Sequence, residues 1–473
     1  MLHEVEPKLV QSLVRAVRAE PGEVSRGGGG GAGVGGRGGD AGDAAGGCDA
    51  AGGRVGDVGA GGQPAAVARV FATAAWTTIA EPGDGVAGLV VTSLGADRAL
   101  SMLIERRSAA EWLTEIALAT GEGFDESELR LALDRWYPRL SSRLAIESLR
   151  SAASCRAQML LPGEPGWPAG FGSLGPHAPL ALWVRGDASA LAHPGGSIAI
   201  VGSRDATNYG EHMAMDLASG LSDRGFAILS GAAYGIDGMA HRACLSSRGT
   251  TVAFLAGGVD RLYPAAHHDL LLRIAASGAI VSELPCGSAP TKWRFLQRNR
   301  LIAAAGHGTV VVEAGKRSGS LNTAGHAAAM GRPLGAVPGP VTSVTSAGCH
   351  RLMREYDAVC VTSAADVVEM VLGPADTRQP PLFDEPGAPG AAKEGQRTGG
   401  VGARASRGGD APAAGDGGTE ALRLRDALSR RSARTVDDLA RRTGMSPRTV
   451  AATLGHLAIE DGARETPTGW LRS

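Results

Sequence analysis

The chain has 473 residues, a formal net charge of −1 at pH 7 and an aromatic content of only 4%. This length exceeds what one ordinary hydrophobic core supports, so two or three domains are expected, and the nearly neutral charge excludes attraction of nucleic acid by overall basicity. The six cysteines form no CxxC pair, which argues against a structural zinc site and against a disulfide framework.

Residues 1–64 are predicted to form a disordered, low-complexity segment. A short amphipathic pattern around Leu9, Leu13 and Val17 precedes a Gly/Ala-rich tract that runs from about residue 22 to residue 62. Such a tract buries too little apolar surface to offset the entropy of ordering it. The N-terminus has no basic segment followed by an apolar run, and no window holds about 18 uninterrupted apolar residues. A soluble, cytoplasmic protein without a membrane span is therefore expected.

Residues 65–160 are predicted to form a small helical, SAM-like domain. They carry apolar clusters of the kind that helices bury, for example Ala99, Leu100, Met102 and Leu103. This pattern indicates a packing module and reveals no function.

Residues 161–372 alternate short apolar runs with helical patterns. The runs are 198–202, 226–231, 251–258, 279–285, 308–314, 333–339 and 358–363. Continuous apolar strands separated by helices predict a Rossmann-like α/β domain, in which helices cover both faces of a parallel sheet. Right-handed crossovers would then place every strand-to-helix loop at the same edge of that sheet.

Six loops should meet at this edge, and several of them have the chemistry of an anion site. After the first strand, Gly202 lets the backbone approach a ligand, the following helix start attracts an anion, and Arg204 adds a donor fork suited to phosphate. The segment 292–300, which we expect to be another loop, contains four cations and two aromatic rings within nine residues. Cations for phosphates interleaved with rings for base stacking are typical of proteins that bind single-stranded nucleic acid.

Neither of two common nucleotide-binding fingerprints occurs in the sequence. No GxGxxG follows the first strand and no GxxxxGK[ST] is present, so neither a nicotinamide cofactor nor ATPase activity is expected, and no cofactor or metal is predicted. Asp237, His241, Glu283 and Glu313 lie at or near the same edge, where a carboxylate beside arginines could act as a general base. We interpret these four side chains as structural and predict no enzyme activity.

The C-terminal part is predicted to be a linker, residues 373–418, followed by a winged-helix domain, residues 419–473. A short helix over Val436–Thr443 would end in a turn at Gly444, and Ser446 would cap the second helix.

Leu454, Leu457 and Ile459 are expected to face the core of the winged helix, and residues 461–470 would form its wing. Because the second helix offers few polar groups, among them Arg448 and His456, an auxiliary or protein-contact role is favoured over sequence-specific reading of DNA.

The ordered motifs of residues 165–371 resemble those of the DprA/Smf family of DNA-processing proteins. They are the run from IAIVGSRDATNYG to GIDGMAHRACL, followed by LAGGVDRLYP, SELPCG, FLQRNRLIAA, VVEAGKRSGSLNTA and VPGPVTS. The resemblance implies a cytoplasmic, dimeric protein that binds incoming single-stranded DNA during natural transformation and helps to load the RecA recombinase.

The same resemblance implies which residues contact DNA. The side chains expected to form the pocket are Arg204, Lys292, Phe295, Arg298, Asn299 and Arg300. The residues expected to supply backbone and hydroxyl contacts to phosphate are Gly202, Ser203, Ser318 and Gly319. The sequence departs from the family pattern at Leu296, where many members have proline, at His267 and His350, often asparagine, and at Tyr356-Asp357, which replaces a more usual glycine.

Two other functions remain open at this stage. Some Rossmann-like nucleotide phosphoribohydrolases are similar in using a glycine-rich turn, an arginine and a glutamate at this edge, and here the glutamate would be Glu313. A transcriptional regulator that acts through the winged helix is the other alternative.

Overall fold

The computed structural model describes residues 6–18, 62–373 and 416–473. The Gly/Ala-rich tract up to residue 61 and most of the predicted linker, residues 374–415, lie outside the described residues. What is described forms a helical unit, an α/β unit and a C-terminal winged helix, in the order that the sequence predicts.

The N-terminal unit is helical. Its helices are α1 (Pro7–Arg18), α2 (Gly62–Ile79), α3 (Gly85–Leu94), α4 (Ala96–Ile104), α5 (Ala109–Thr120), α6 (Glu126–Trp136) and α7 (Ser142–Ser154). The residues Ala99, Leu100, Met102 and Leu103 are buried, as predicted. Trp76 and Trp136 are also fully buried and meet edge to face with ring centroids 5.0 Å apart, a favourable arrangement for aromatic rings.

Helix α1 corrects the prediction that the whole segment up to residue 64 is disordered. Leu13, Val14 and Val17 are buried where α1 packs against α2 and α7. An isolated helix of this length is marginal in water, so this tertiary packing is what stabilises it.

The α/β unit is built on a nine-stranded sheet with the order β1-β2-β6-β5-β4-β3-β7-β8-β9. The strands are β1 (Ala157–Leu160), β2 (Leu182–Gly186), β3 (Ser197–Val201), β4 (Ala227–Ser230), β5 (Thr251–Phe254), β6 (Ala279–Ser282), β7 (Gly308–Val311), β8 (Leu334–Ala336) and β9 (Val359–Cys360). Strands β3 to β9 are parallel to one another and match the seven predicted runs, while β1 and β2 are additional antiparallel strands at one edge.

Helices cover both faces of this sheet. They are α8 (Asn208–Asp223), α9 (Ile236–Ser246), α10 (His268–Ser277), α11 (Lys292–Ala305), α12 (Ser320–Ala329), α13 (Ala347–Glu355) and α14 (Ala364–Leu372). Along β3, Ile198 and Ile200 pack into the core beneath α8, α9 and α14, whereas Ala199 and Val201 pack into the core beneath α11, α12 and α13. This alternation follows from the two-residue period of a strand and confirms the predicted Rossmann-like class.

The strand order reverses between β3 and β7. From β3 the chain builds the sheet in one direction to β6, and from β7 it builds in the other direction to β9. The loops that follow β3 and β7 therefore diverge and leave a crevice at the carboxyl ends of the strands, where open α/β sheets bind their ligands.

The C-terminal unit has the predicted winged-helix order. It comprises α15 (Asp416–Ala427), α16 (Val436–Thr443), α17 (Pro447–Ile459), β10 (Ala463–Thr466) and β11 (Gly469–Arg472). Gly444 ends α16 with a left-handed φ of 66°, and the Ser446 hydroxyl caps α17 by accepting from the Thr449 amide.

The prediction for Ile459 is wrong, since this side chain is 84% exposed while Leu454 and Leu457 are buried. Leu454 and Ile459 are five residues apart, which places them about 140° apart around the helix.

No single helix in the ranges above is long and apolar enough to span a membrane. The pair α3 and α4, bent by 110°, meets the requirement only when the two are taken together, by length and composition.

Candidate nucleic-acid interface

A cavity of about 930 Å³ opens at the crevice between the loops after β3 and β7. Nine of the ten residues predicted to contact DNA line it. They are Gly202, Ser203, Arg204, Lys292, Phe295, Arg298, Asn299, Ser318 and Gly319. The geometry therefore brings together side chains from three separate parts of the sequence at the predicted edge of the sheet.

The segment 292–300 is the start of helix α11, which corrects the prediction that it is a loop. Thr291 caps this helix, because its hydroxyl accepts from the Arg294 amide at 3.3 Å. Residues three and four apart lie on the same side of a helix, so Lys292, Phe295 and Asn299 face the cavity together.

Arg300 lies on another side of α11, outside this cavity. Its guanidinium makes two hydrogen bonds to the Glu283 carboxylate, at 2.5 and 2.7 Å, and donates to the His177 carbonyl oxygen. Arg300 is 4% exposed, so the pair joins α11 to the end of β6 from within the protein. The structure does not bring this predicted contact residue to the others.

Phe295 forms the centre of an aromatic and cationic cluster in the cavity. The guanidinium carbon of Arg204 lies 4.9 Å from its ring centroid, and that of Arg298 lies 5.7 Å away. The Tyr263 ring is 5.9 Å from it, centroid to centroid. A cation over an aromatic face is attracted by the ring quadrupole, so Arg204 is held beside the ring while remaining exposed.

Arg298 is buried below the cavity, where it joins the loop after β4 to the end of β5. The side chain is 5% exposed and donates to the carbonyl oxygens of Gly231, at 2.8 Å, and of Phe254. Burial lowers the pKa of this guanidinium to about 10, and the nearby Asp237 opposes the shift. A Cβ at Gly231 would lie 2.2 Å from an Arg298 nitrogen, so any larger residue there would displace this guanidinium.

Asn299 fixes the loop that follows β7. Its side-chain amide donates to the Gly319 carbonyl oxygen at 3.2 Å and to Asn322 Oδ1 at 3.3 Å. The Ser318 and Ser320 hydroxyls are hydrogen bonded to each other at 2.7 Å. The loop is thereby held against α11, with Ser318 and Gly319 at the cavity wall.

The acidic residues at this edge are engaged in holding loops. Asp237 accepts from the Gly231 and Ala233 amides at 3.1 and 3.4 Å, and burial raises the pKa of its carboxyl group. Glu313 accepts from the Thr207 amide and hydroxyl, at 2.9 and 2.7 Å, and from the Thr345 hydroxyl at 3.1 Å. These contacts match the structural interpretation.

His241 is also part of the packing beneath this edge. Its Nδ1 is 2.7 Å from the Thr251 hydroxyl, and burial lowers the pKa of the ring to about 3. The imidazole is therefore neutral at pH 7. Among the described residues, no group of three or more His, Cys, Asp or Glu side chains is arranged to hold a metal ion.

The positions predicted to depart from the family pattern have identifiable contacts. Leu296 lines the cavity, His267 donates to the Ala232 carbonyl oxygen at 3.0 Å, and His350 donates to that of Gly339 at 2.9 Å. Asp357 has a φ of 51°, in the left-handed region that favours glycine. The backbone here thus has the conformation suited to the glycine that the resemblance leads us to expect at this point.

Among the lining residues that were not predicted as contacts, four bear on the chemistry of the cavity. Arg317 and Tyr263 lie in strand-to-helix loops that are predicted to meet at this edge. A cation and an aromatic ring in such loops are therefore recognisable from the sequence as candidate DNA contacts. Leu422 and Asp426 come from α15 of the winged helix, and no pattern in the sequence indicates that this helix reaches the cavity.

Comparison with known proteins gives a consistent result along most of the described chain. The family model for DNA recombination-mediator protein A matches residues 158–372, and the model for the DprA winged helix domain matches residues 409–468. A DprA DNA processing protein of Mycobacterium tuberculosis is 45% identical over 312 residues, which cover 64% of this chain and 72% of that protein.

Two further similarities concern the α/β unit and the fold. The DNA processing protein DprA of Bacillus subtilis is 37% identical over 191 residues, covering 40% of this chain and 64% of that protein. The X-ray structure of DNA processing protein A from Streptococcus pneumoniae is similar with a TM-score of 0.51 and 26% identity, over 64% of this chain and 96% of that one.

Proposed function

Because the chain belongs to the DprA/Smf family of DNA-processing proteins, we propose that it binds single-stranded DNA in the cavity between the loops after β3 and β7. Its role is then the processing of incoming DNA during natural transformation. The observation that carries this proposal is that the exposed cations Arg204, Lys292 and Arg317 line one cavity together with the Phe295 ring, against which Arg204 lies.

Each part of the cavity has a distinct task in this proposal. Arg204, Lys292 and Arg317 are exposed cations that would neutralise phosphates and release counterions. Phe295 and Tyr263 offer ring faces on which bases stack without regard to sequence. The Gly202-Ser203 and Ser318-Gly319 turns would complete the phosphate contacts, although the Ser203 and Ser318 amides already donate to the Glu313 and Gly315 carbonyl oxygens, at 2.7 and 3.0 Å.

The buried members act by positioning. Arg298, Asn299 and Arg300 donate to carbonyl oxygens or carboxylates within the protein, and these bonds fix their side chains in place. We assign to Arg298 a contribution of positive charge from below the cavity, and to Arg300 the placement of α11 against β6.

The proposed partners follow from membership of the family. The protein would act in the cytoplasm as a homodimer and would help to load the RecA recombinase onto the bound strand. No catalytic step is proposed, since Asp237, Glu283 and Glu313 all hold loop amides, hydroxyls or an arginine. This arrangement also disfavours the nucleotide phosphoribohydrolase alternative.

Binding of single-stranded and double-stranded oligonucleotides by the full-length protein tests the proposal. We expect the single strand to bind more tightly, and binding to weaken as salt rises. Addition of RecA should then give faster filament formation on the bound strand. Tighter binding of duplex that survives Arg204→Ala together with Lys292→Ala would instead favour a regulator acting through the winged helix.

A further inference from the structure

The winged helix covers one side of the DNA cavity. Leu422 and Asp426 of α15 line that cavity together with residues of α11 and of the loops after β3 and β7. A carboxylate is thus placed beside the exposed cations on which the proposed function rests.

The Asp426 carboxylate binds the start of the helix that carries the site. Its Oδ2 accepts from the backbone amide of Lys292 at 2.7 Å, and Lys292 is the first residue of α11. The first amides of a helix have no partner within the helix and carry partial positive charge, so they attract anions, phosphate among them. Asp426 therefore occupies a position at which a DNA phosphate would be stabilised.

Further contacts hold α15 in this place. The Arg423 guanidinium carbon lies 5.3 Å from the Trp293 ring centroid, one residue beyond Lys292, and Arg423 also donates to the Thr443 carbonyl oxygen within the winged helix. At the end of α16, a Cβ on Gly444 would lie 2.3 Å from Glu81 Cγ and 2.5 Å from an Arg139 nitrogen. The winged helix is thus packed against both α11 and the helical unit.

We propose that the winged helix is an autoinhibitory cover of the DNA cavity, in which Asp426 takes the place of a phosphate and is displaced when a single strand enters. The inference rests on the proposed function of the cavity. It gives the C-terminal domain a role that does not require reading of a base sequence.

DNA must therefore compete with the hydrogen bond between the Lys292 amide and the Asp426 carboxylate. A strand that places a phosphate at the Lys292 amide must break the hydrogen bond to Asp426 and move α15 away. Wild-type protein therefore binds more weakly than a variant in which the internal anion is neutralised. The size of the change should match that of one charge at a helix terminus, which corresponds to roughly two- to five-fold in affinity.

The test compares full-length wild type, Asp426→Asn and the matched control Asp437→Asn by fluorescence anisotropy with a dT20 oligonucleotide. Asp437 is exposed on α16 and does not line the cavity, so its replacement removes the same charge elsewhere on the winged helix. We expect Asp426→Asn to bind roughly two- to five-fold more tightly than wild type, and Asp437→Asn to bind like wild type.

Hydrogen exchange of the same proteins distinguishes displacement of α15 from a purely electrostatic effect of the charge removed in Asp426→Asn. On addition of dT20 to wild type, amides of α15 should exchange faster while those at the start of α11 exchange more slowly. Equal affinity of Asp426→Asn and Asp437→Asn for dT20 would overturn the proposal that the winged helix covers the cavity. Slower exchange of the α15 amides when dT20 is bound would overturn it as well. Failure of both wild type and Asp426→Asn to bind dT20 would instead remove the proposed function, and the inference with it.

Discussion

The guanidinium carbon of Arg204 lies 4.9 Å from the centroid of the Phe295 ring. A loop residue that follows β3 is thereby placed against a helix residue almost a hundred positions later in the chain. The pair combines a permanent cation and an apolar ring face at the opening of one cavity. These are the two kinds of group that phosphates and bases require, and the two contributions can be separated experimentally.

Removing an exposed cation should change the salt dependence of DNA binding. Arg204→Ala and Arg317→Ala each delete one phosphate contact, so each should lower the slope of log K against log salt by about 0.7 for a single strand. Anisotropy titrations with dT20 at several salt concentrations measure this slope. Arg273→Ala, on the exposed side of α10, is the matched control and should leave the slope unchanged. Unchanged slopes in both cavity variants would show that phosphates bind elsewhere.

Removing the ring should weaken binding without changing its salt dependence. Phe295→Ala deletes a stacking surface and should cost about 1–3 kcal/mol of binding free energy, while Phe295→Tyr should retain most of the affinity. The same titrations report both quantities. A loss that disappears at high salt would mean that Phe295 acts only by placing Arg204.

Arg300 should behave as a structural residue. Arg300→Ala leaves the Glu283 carboxylate buried without its ion pair, which should lower the free energy of unfolding by about 3–5 kcal/mol. Chemical denaturation measures the loss. The exposed pair of Arg354 and Glu355 provides the control, and Arg354→Ala should change stability by less than about 1 kcal/mol. If folded Arg300→Ala showed a reduced salt slope with dT20, a direct phosphate contact would be indicated.

Glu81 should make stability depend on acid pH. Burial acts to raise the pKa of its carboxyl group, but Arg294 and Arg139 outweigh this effect and lower the pKa from 4.5 to about 2. The folded state therefore binds this proton less tightly than the unfolded chain does. The contribution of the ionised Glu81 carboxylate to the free energy of unfolding is complete above pH 4.5 and is lost as the pH falls towards 2.

Thermal melts between pH 5 and pH 3 test this expectation. The Tm of wild type should fall more steeply over this range than that of Glu81→Gln, which has no carboxyl group to titrate. Glu147→Gln, at an exposed ion pair of α7, should follow wild type. Parallel curves for wild type and Glu81→Gln would contradict the assignment.

No free base should be released when the protein is incubated with nucleoside monophosphates. The carboxylate that such a hydrolysis would need, Glu313, is 2% exposed and already accepts three hydrogen bonds. Chromatography of the products is sufficient to detect release. Base formation by wild type that is abolished in Glu313→Gln would establish an enzyme in place of a binding protein.

The parallel strands could be predicted because each is a continuous apolar run between helical patterns, as at Ile198 and Ile200. Strands β1 and β2 could not, since they join the sheet antiparallel at its edge and lie outside that alternation. The family resemblance implies a pocket position for Arg300, and a loop over 292–300 would permit it, because all side chains of a loop can face one ligand. In a helix the same residues are distributed around the axis, and Arg300 points elsewhere.

The position of Asp426 lay beyond sequence reasoning for another reason. It depends on the docking of one folded unit onto another, and no periodicity or spacing within either unit encodes that contact. By contrast, Gly444, Ser446 and Pro447 gave a local signal for the turn between α16 and α17, which the structure confirms.

Helix α1 has a practical consequence for truncated versions of this protein. The sequence pattern would suggest residue 65 as a starting point, yet Arg18 at the end of α1 binds the Met159 carbonyl oxygen and the Glu164 carboxylate, near β1. A protein that began at residue 65 would expose the apolar surface that Leu13, Val14 and Val17 cover. It would be expected to aggregate for a reason unrelated to DNA.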